Sequence, residues 1–269
     1  MKPKLFFRFV RLGFFEVLRH PLARVVLFLV LLGLGLYTYL TLQMLEEFRE
    51  TPHALLAAER SLDETFRPVA TYLWAVQLLL ALPLFAGERF TGTLDSLWAR
   101  PIPRGAFLLA RCFGRSWYYP LFVVLHLLAA GFALIKHGLP LSPLAGPLVR
   151  YGLFGWLGVL VAMLLLLAFA CLSSSRFLHL VYWCLAFFAH VQLQTFLAEP
   201  GGNPLVRKVV AVLAAVWSTL VVGASPGWLD SFYFSPWHLA RVVLSLAVGL
   251  AANTVLVLYL ARRAEVFHD

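Results

Sequence analysis

The chain has 269 residues, 61% of them hydrophobic and 13% charged, with a formal net charge of +9. A soluble domain averages roughly 45–50% apolar and about 25% charged residues, so a water-soluble globule is excluded: too few polar groups are available to cover it. The basic residues flank long apolar runs and form no arm or nucleic-acid motif, so they read as membrane-orienting charges and not as nucleic-acid contacts.

Residues 4–20 predict an amphipathic helix. On a helical wheel Lys4, Arg8, Arg11 and Arg19 share one narrow stripe, and Phe6, Phe7, Val10, Phe14, Val17 and Leu18 fill the broad remainder. Such a helix lies flat at the membrane surface with its cations on anionic headgroups; the alternative is an N-terminal continuation of the first span. Pro21 disfavours helix at the residue before it and suits a turn into the membrane.

A spanning helix needs about 20 mostly apolar residues. Leu22–Gln43, Pro68–Ala86, Trp117–Ile135, Leu148–Leu172, His179–Leu197 and Val242–Leu260 meet this, giving an all-α protein of six transmembrane helices in a single domain, residues 1–269. The first run is too long for a cleavable leader and has no small-residue cleavage site after it, so it is expected to stay as a span. The loop from Met44 to Arg67 is mixed in charge and predicts a short helix around Pro52–Asp63. The outer loop, 198–240, contains a 14-residue apolar stretch, 209–222, whose length suits a re-entrant or interfacial segment better than a crossing. With that stretch not crossing and the N-terminus in the cytosol, fourteen of the 22 Lys and Arg lie on cytosolic segments. The positive-inside bias therefore predicts both termini in the cytosol. Cys112, Cys171 and Cys184 have no disulfide or metal-ligand spacing and read as small packing or loop residues.

The segment 87–116, between the second and third spans, is the most informative. Glu88 sits at a helix end, Thr91-Gly92-Thr93 breaks the chain, a short helix follows, Pro101-Ile102-Pro103 breaks it again, and a second amphipathic helix begins near Arg104. Thr93 can cap the short helix. Leu94, Leu97 and Trp98 share one face at i, i+3, i+4 spacing, with Arg100 and Pro101 just beyond. An apolar ridge framed by charge and pointed at the cytosol fits a socket on a partner protein, which a simple connection between spans would not need.

This segment resembles the signature of type-2 ABC transporter permeases: Glu88, Gly92-Thr93-Leu94, Pro101-Ile102, Arg104 and Arg111-x-x-Gly114 match, while Trp98-Ala99, Pro103 and Arg111 depart from the usual residues. The layout of the whole chain is similar to that of the copper-enzyme maturation permeases, although only 88–114 is specific. The resemblance implies a permease subunit in a bacterial cytoplasmic membrane, paired as a homodimer above two separate ABC ATPase subunits. The 91–99 helix would be the coupling helix seated in the ATPase. No Gly-x4-Gly-Lys-Ser/Thr loop occurs in the sequence, so ATP-Mg is expected on the partner, with no cofactor or enzymatic role in this chain itself.

Polar residues within the spans are costly and mark candidate function. Gln77, His126, His190, Gln192, Gln194 and Asn253 qualify, and His190 and Gln194 share a helical face. His126, His190 and Gln194 are candidate path-lining residues; the competing reading is hydrogen bonding between helices. No His pair has metal-binding spacing. An integral membrane enzyme using His126 or His190, or a non-transporting anchor or assembly subunit, are the alternative functions.

Overall fold

A computed structural model describes residues 3–19, 21–48, 54–90, 104–172, 204–217, 219–220 and 236–266, together with residues 177–178, 181, 184–185, 188–189 and 192–193. Every described element is helical. In chain order they are α1 (Pro3–Arg19), α2 (Pro21–Phe48), α3 (Ala54–Phe90), α4 (Arg104–Ser116), α5 (Tyr118–Lys136), α6 (Gly155–Leu172), α7 (Pro204–Trp217) and α8 (Pro236–Val266). Four described stretches are long and apolar enough to cross a membrane: Ala23–Glu46, Gly105–Lys136, Ser142–Leu172 and Leu239–Arg263. The chain is thus a helical protein of membrane-spanning character. The expected second span, Pro68–Ala86, lies inside α3, and most of the expected fifth, His179–Leu197, lies outside the described residues.

The short helix expected in the first outer loop is instead the opening of α3, which runs 37 residues without interruption through Pro68. The reason is packing. Ala58, Leu62, Phe66, Ala70, Leu73, Gln77 and Leu80 form one buried stripe at helical spacing that passes straight across the proline. On either side of the proline, Thr65 Oγ1 donates to the Leu62 carbonyl (3.2 Å) and Thr71 Oγ1 to the Arg67 carbonyl (3.1 Å), side-chain bonds to the preceding turn. At about 1.5 Å per residue, α3 is nearly twice the length of a bilayer core.

The second helix of the 87–116 segment is α4, and it continues almost directly into α5 through Trp117. α5 ends in a Schellman turn: Gly138 adopts φ +71°, its N–H bonds the Ile135 carbonyl at 3.0 Å and the Leu139 N–H bonds the Leu134 carbonyl at 2.9 Å. A left-handed residue is required at that position, and glycine pays no steric penalty for it. α6 is apolar all round and buried along Val159–Ala168, so it is the centre of the bundle; α3, α4 and α8 pack on it. A π-helical stretch, Leu148–Phe154, leads into it and buries Arg150, Tyr151 and Gly152.

Candidate functional site

The segment expected to hold the coupling helix lies between α3, with Glu88 two residues before its end, and α4, which opens at Arg104. Gly92, Thr93, Leu94, Leu97, Trp98, Arg100 and Pro101 lie outside the described residues. What the structure describes is the base on which that segment stands.

The base is a junction of α1 and α4 made at two glycines. A Cβ on Gly13 would stand 2.8 Å from the Arg111 Cα and 3.0 Å from its carbonyl carbon; a Cβ on Gly114 would stand 2.8 Å from the Val10 carbonyl carbon and 3.1 Å from the Phe14 nitrogen. Small residues let helix backbones touch in this way. Around the contact, Phe9 meets Phe107 edge-to-face at 4.8 Å and Phe14 stacks on Tyr118 at 4.6 Å. The Tyr118 hydroxyl donates to the Phe14 carbonyl at 2.7 Å.

Glu16 closes the junction. Its Oε2 accepts from Arg111 Nε at 3.0 Å, from Arg111 Nη2, and from Arg115 Nη2 at 2.9 Å. The side chains of Arg111 and Arg115 are 5% and 1% exposed, and that of Glu16 is 23%. Read from sequence, both arginines count among the orienting charges, with Arg111 also in the signature pattern; in the fold they are buried cations that meet Glu16 across 95 and 99 residues. The guanidinium of Arg111 also lies 5.1 Å from the Phe107 ring.

α4 is tied equally firmly to the spans. Gln77 Nε2 of α3 donates to the Arg115 carbonyl at 2.9 Å. Trp156 Nε1 of α6 donates to Ser116 Oγ at 2.8 Å. A Cβ on Gly105 would stand 2.6 Å from Leu258 Cδ2 of α8. Gln77, a candidate polar residue of the second span, is thus an inter-helix hydrogen-bonding group.

Part of the apolar side of α1 is taken up by these contacts: Gly13 and Val17 are buried, and Phe9, Val10 and Phe14 are half-buried against protein. The face left exposed carries Lys4, Arg8, Arg11 and Arg19 with Phe7, Phe15 and Leu18 among them. Sequence reasoning missed Glu16 and Gly13. The available signal was a lone carboxylate in a basic helix, set off the basic stripe and one turn from a glycine.

His126 is 1% exposed, and its Nδ1–H donates to the Phe122 carbonyl at 2.8 Å. Its ring lies 5.6 Å from Tyr37 and 6.5 Å from Phe66. It also lines a cleft of about 600 Å³ between α2 and α3, with Leu29, Tyr37, Glu64, Thr65 and Tyr72. His190 and Gln194 lie outside the described residues.

Asn253 has the inter-helix role. Its Nδ2 donates to the carbonyls of Val161 (α6) and Leu220, just past α7, both at 3.0 Å. Beside it the hydroxyls of Thr219 and Ser245 pair, and a Cβ on Gly249 would collide with the Thr219 carbonyl oxygen. Thr219 and Leu220 therefore meet α8 near the middle of its apolar stretch, Leu239–Arg263. Among the described residues, no group of three His, Cys, Asp or Glu side chains is placed to hold a metal ion. No protein-family model matches this sequence, and no curated protein matches it.

Proposed function

We propose that this chain is the membrane-spanning permease subunit of an ATP-driven ABC exporter. In this reading it has six spans, both termini in the cytosol of a bacterium, and a second permease copy beside it. Two ATPase subunits carry the ATP-Mg and grip the 91–99 helix. The observation that carries the reading is the pattern Glu88, Gly92-Thr93-Leu94, Pro101-Ile102 and Arg111-x-x-Gly114, followed by a helix that is anchored on every side. α4 is joined to α1 through Gly13, Gly114 and Glu16, to α3 through Gln77, to α6 through Trp156 and to α8 through Gly105. A push on residues 91–103 would reach four helices through close-packed and hydrogen-bonded contacts, which transmit displacement instead of absorbing it. A loop that served only as a connection would need none of these.

The test is capture of the solubilised chain from its own membrane. An ATPase subunit should co-purify with the wild-type protein and be lost when residues 91–99 are scrambled. Glu88→Ala and Leu97→Ala should leave the bundle folded while lowering retention of that subunit or uncoupling its hydrolysis from transport. An ATPase that stays bound to the scrambled chain, or a wild-type chain that brings none, would end the proposal.

A further inference from the structure

We propose that the groove between α1 and α5 is a binding site for one anionic phospholipid of the leaflet in which α1 lies. The inference needs only the membrane-spanning character of α5 and stands apart from the transporter reading. The groove has a volume of about 510 Å³ and is walled by Phe7 and Phe14 of α1, by Trp117 just before α5 and by Leu121 and Val124 of α5, with Arg11 as its one charged lining residue.

Three observations fix the occupant. First, Trp117, Leu121 and Val124 begin an exposed apolar stripe that continues through Leu128, Phe132 and Ile135 along the whole of α5. The groove is thus the head of a lipid-facing track, and its walled part, from Trp117 to Val124, is about 10 Å long, room for the upper half of an acyl chain. Second, the charge at the head of the track is of one sign. Glu16 is the only acidic residue of α1, and it is turned inward onto Arg111 and Arg115. The outward face keeps Lys4, Arg8, Arg11 and Arg19, all exposed. Third, Arg11 lines the groove and is exposed, with its guanidinium 5.6 Å from the ring of the neighbouring Phe15. A guanidinium above an apolar slot offers phosphate a forked, charge-assisted donor set, and the slot takes the chain below it. A zwitterionic lipid fits the slot but gains less from the charge.

The full-length chain is placed in nanodiscs of mixed phosphatidylcholine and phosphatidylglycerol, and lipid retained on release is counted by native mass spectrometry. Wild type should keep one phosphatidylglycerol per chain. Arg11→Gln should lower its enrichment over phosphatidylcholine about fivefold, the effect of one basic side chain at an anionic surface. Arg11→Lys should keep most of it. Val124→Trp, which fills the slot, should lose the retained molecule whatever its headgroup. Arg19→Gln, on the same stripe but away from the groove, should behave as wild type. Equal enrichment in wild type and Arg11→Gln would overturn the proposal, as would an equal loss in Arg19→Gln, which is the mark of diffuse surface attraction. A Leu121→Cys variant whose copies cross-link to each other through that residue would assign the groove to a second copy and also overturn it.

Discussion

Replacing Gly114 with alanine sets a methyl carbon 2.8 Å from the Val10 carbonyl carbon and closer still to its oxygen. Carbon atoms rest at about 3.5 Å or more, so the two backbones must part by at least about 0.7 Å. Neither is the tip of a flexible side chain, so α1 has to move as a body. That motion stretches the Arg115–Glu16 contact from 2.9 Å and the Tyr118–Phe14 bond from 2.7 Å, both to beyond hydrogen-bonding length. Overpacking a close contact costs about 1–3 kcal/mol, and the coupled loss of polar contacts puts this variant at about 2–3 kcal/mol. The readout is hydrogen exchange of the α1 amides in nanodiscs, where undocking should become about 30- to 150-fold more frequent. Gly131→Ala is the control. Its methyl would meet side-chain carbons alone, Leu144 Cδ1 at 3.3 Å and Leu141 Cδ2 at 3.6 Å, and it should change stability by less than about 1 kcal/mol, with helix propensity in its favour. If α1 in Gly114→Ala exchanged within twofold of wild type, the backbone-contact argument would be refuted.

Glu16→Gln keeps the shape of the side chain but leaves Arg111 and Arg115 buried without this carboxylate. Removing one member of a buried pair costs about 3–5 kcal/mol, and the partial exposure of Glu16 puts the expected loss near the lower bound. Thermal unfolding in detergent should show the loss, and 1 M salt should not reproduce it in wild type, because buried pairs are screened weakly; a wild-type protein that high salt destabilises as much would contradict the burial. Asn253→Ala removes two hydrogen bonds to the Val161 and Leu220 carbonyls and should cost about 0.6–1.7 kcal/mol, the measured range for polar contacts between helices in membranes. Gly249→Ala should displace the 204–220 segment from α8, seen as new accessibility to a thiol reagent of a cysteine placed at the buried Ala214. Unchanged labelling there would show that the segment is not seated on α8.

Hydropathy marked where helices would be apolar, because a run of twenty apolar residues carries that information by itself. Trp117–Ile135 and Val242–Leu260 lie inside stretches the fold makes helical, Gly105–Lys136 and Leu239–Arg263. The opening of α4 at Arg104 was legible from Pro101 and Pro103 just before it. The unbroken passage of α3 through Pro68 was not, because a proline reads as a stop unless the buried stripe on both sides of it is known to face the same neighbours.

Sequence alone thus determined the membrane-spanning character, the helical content and the basic face of α1. These properties are local: each is set by composition or by residues within a turn or two. Which side chains would meet was decided only by the tertiary structure. Glu16 finds Arg115 at a separation of 99 residues, and Gly114 receives the backbone of Val10. No pattern within either segment encodes the other's arrival, since a buried arginine and an orienting one are the same letter until packing removes the water.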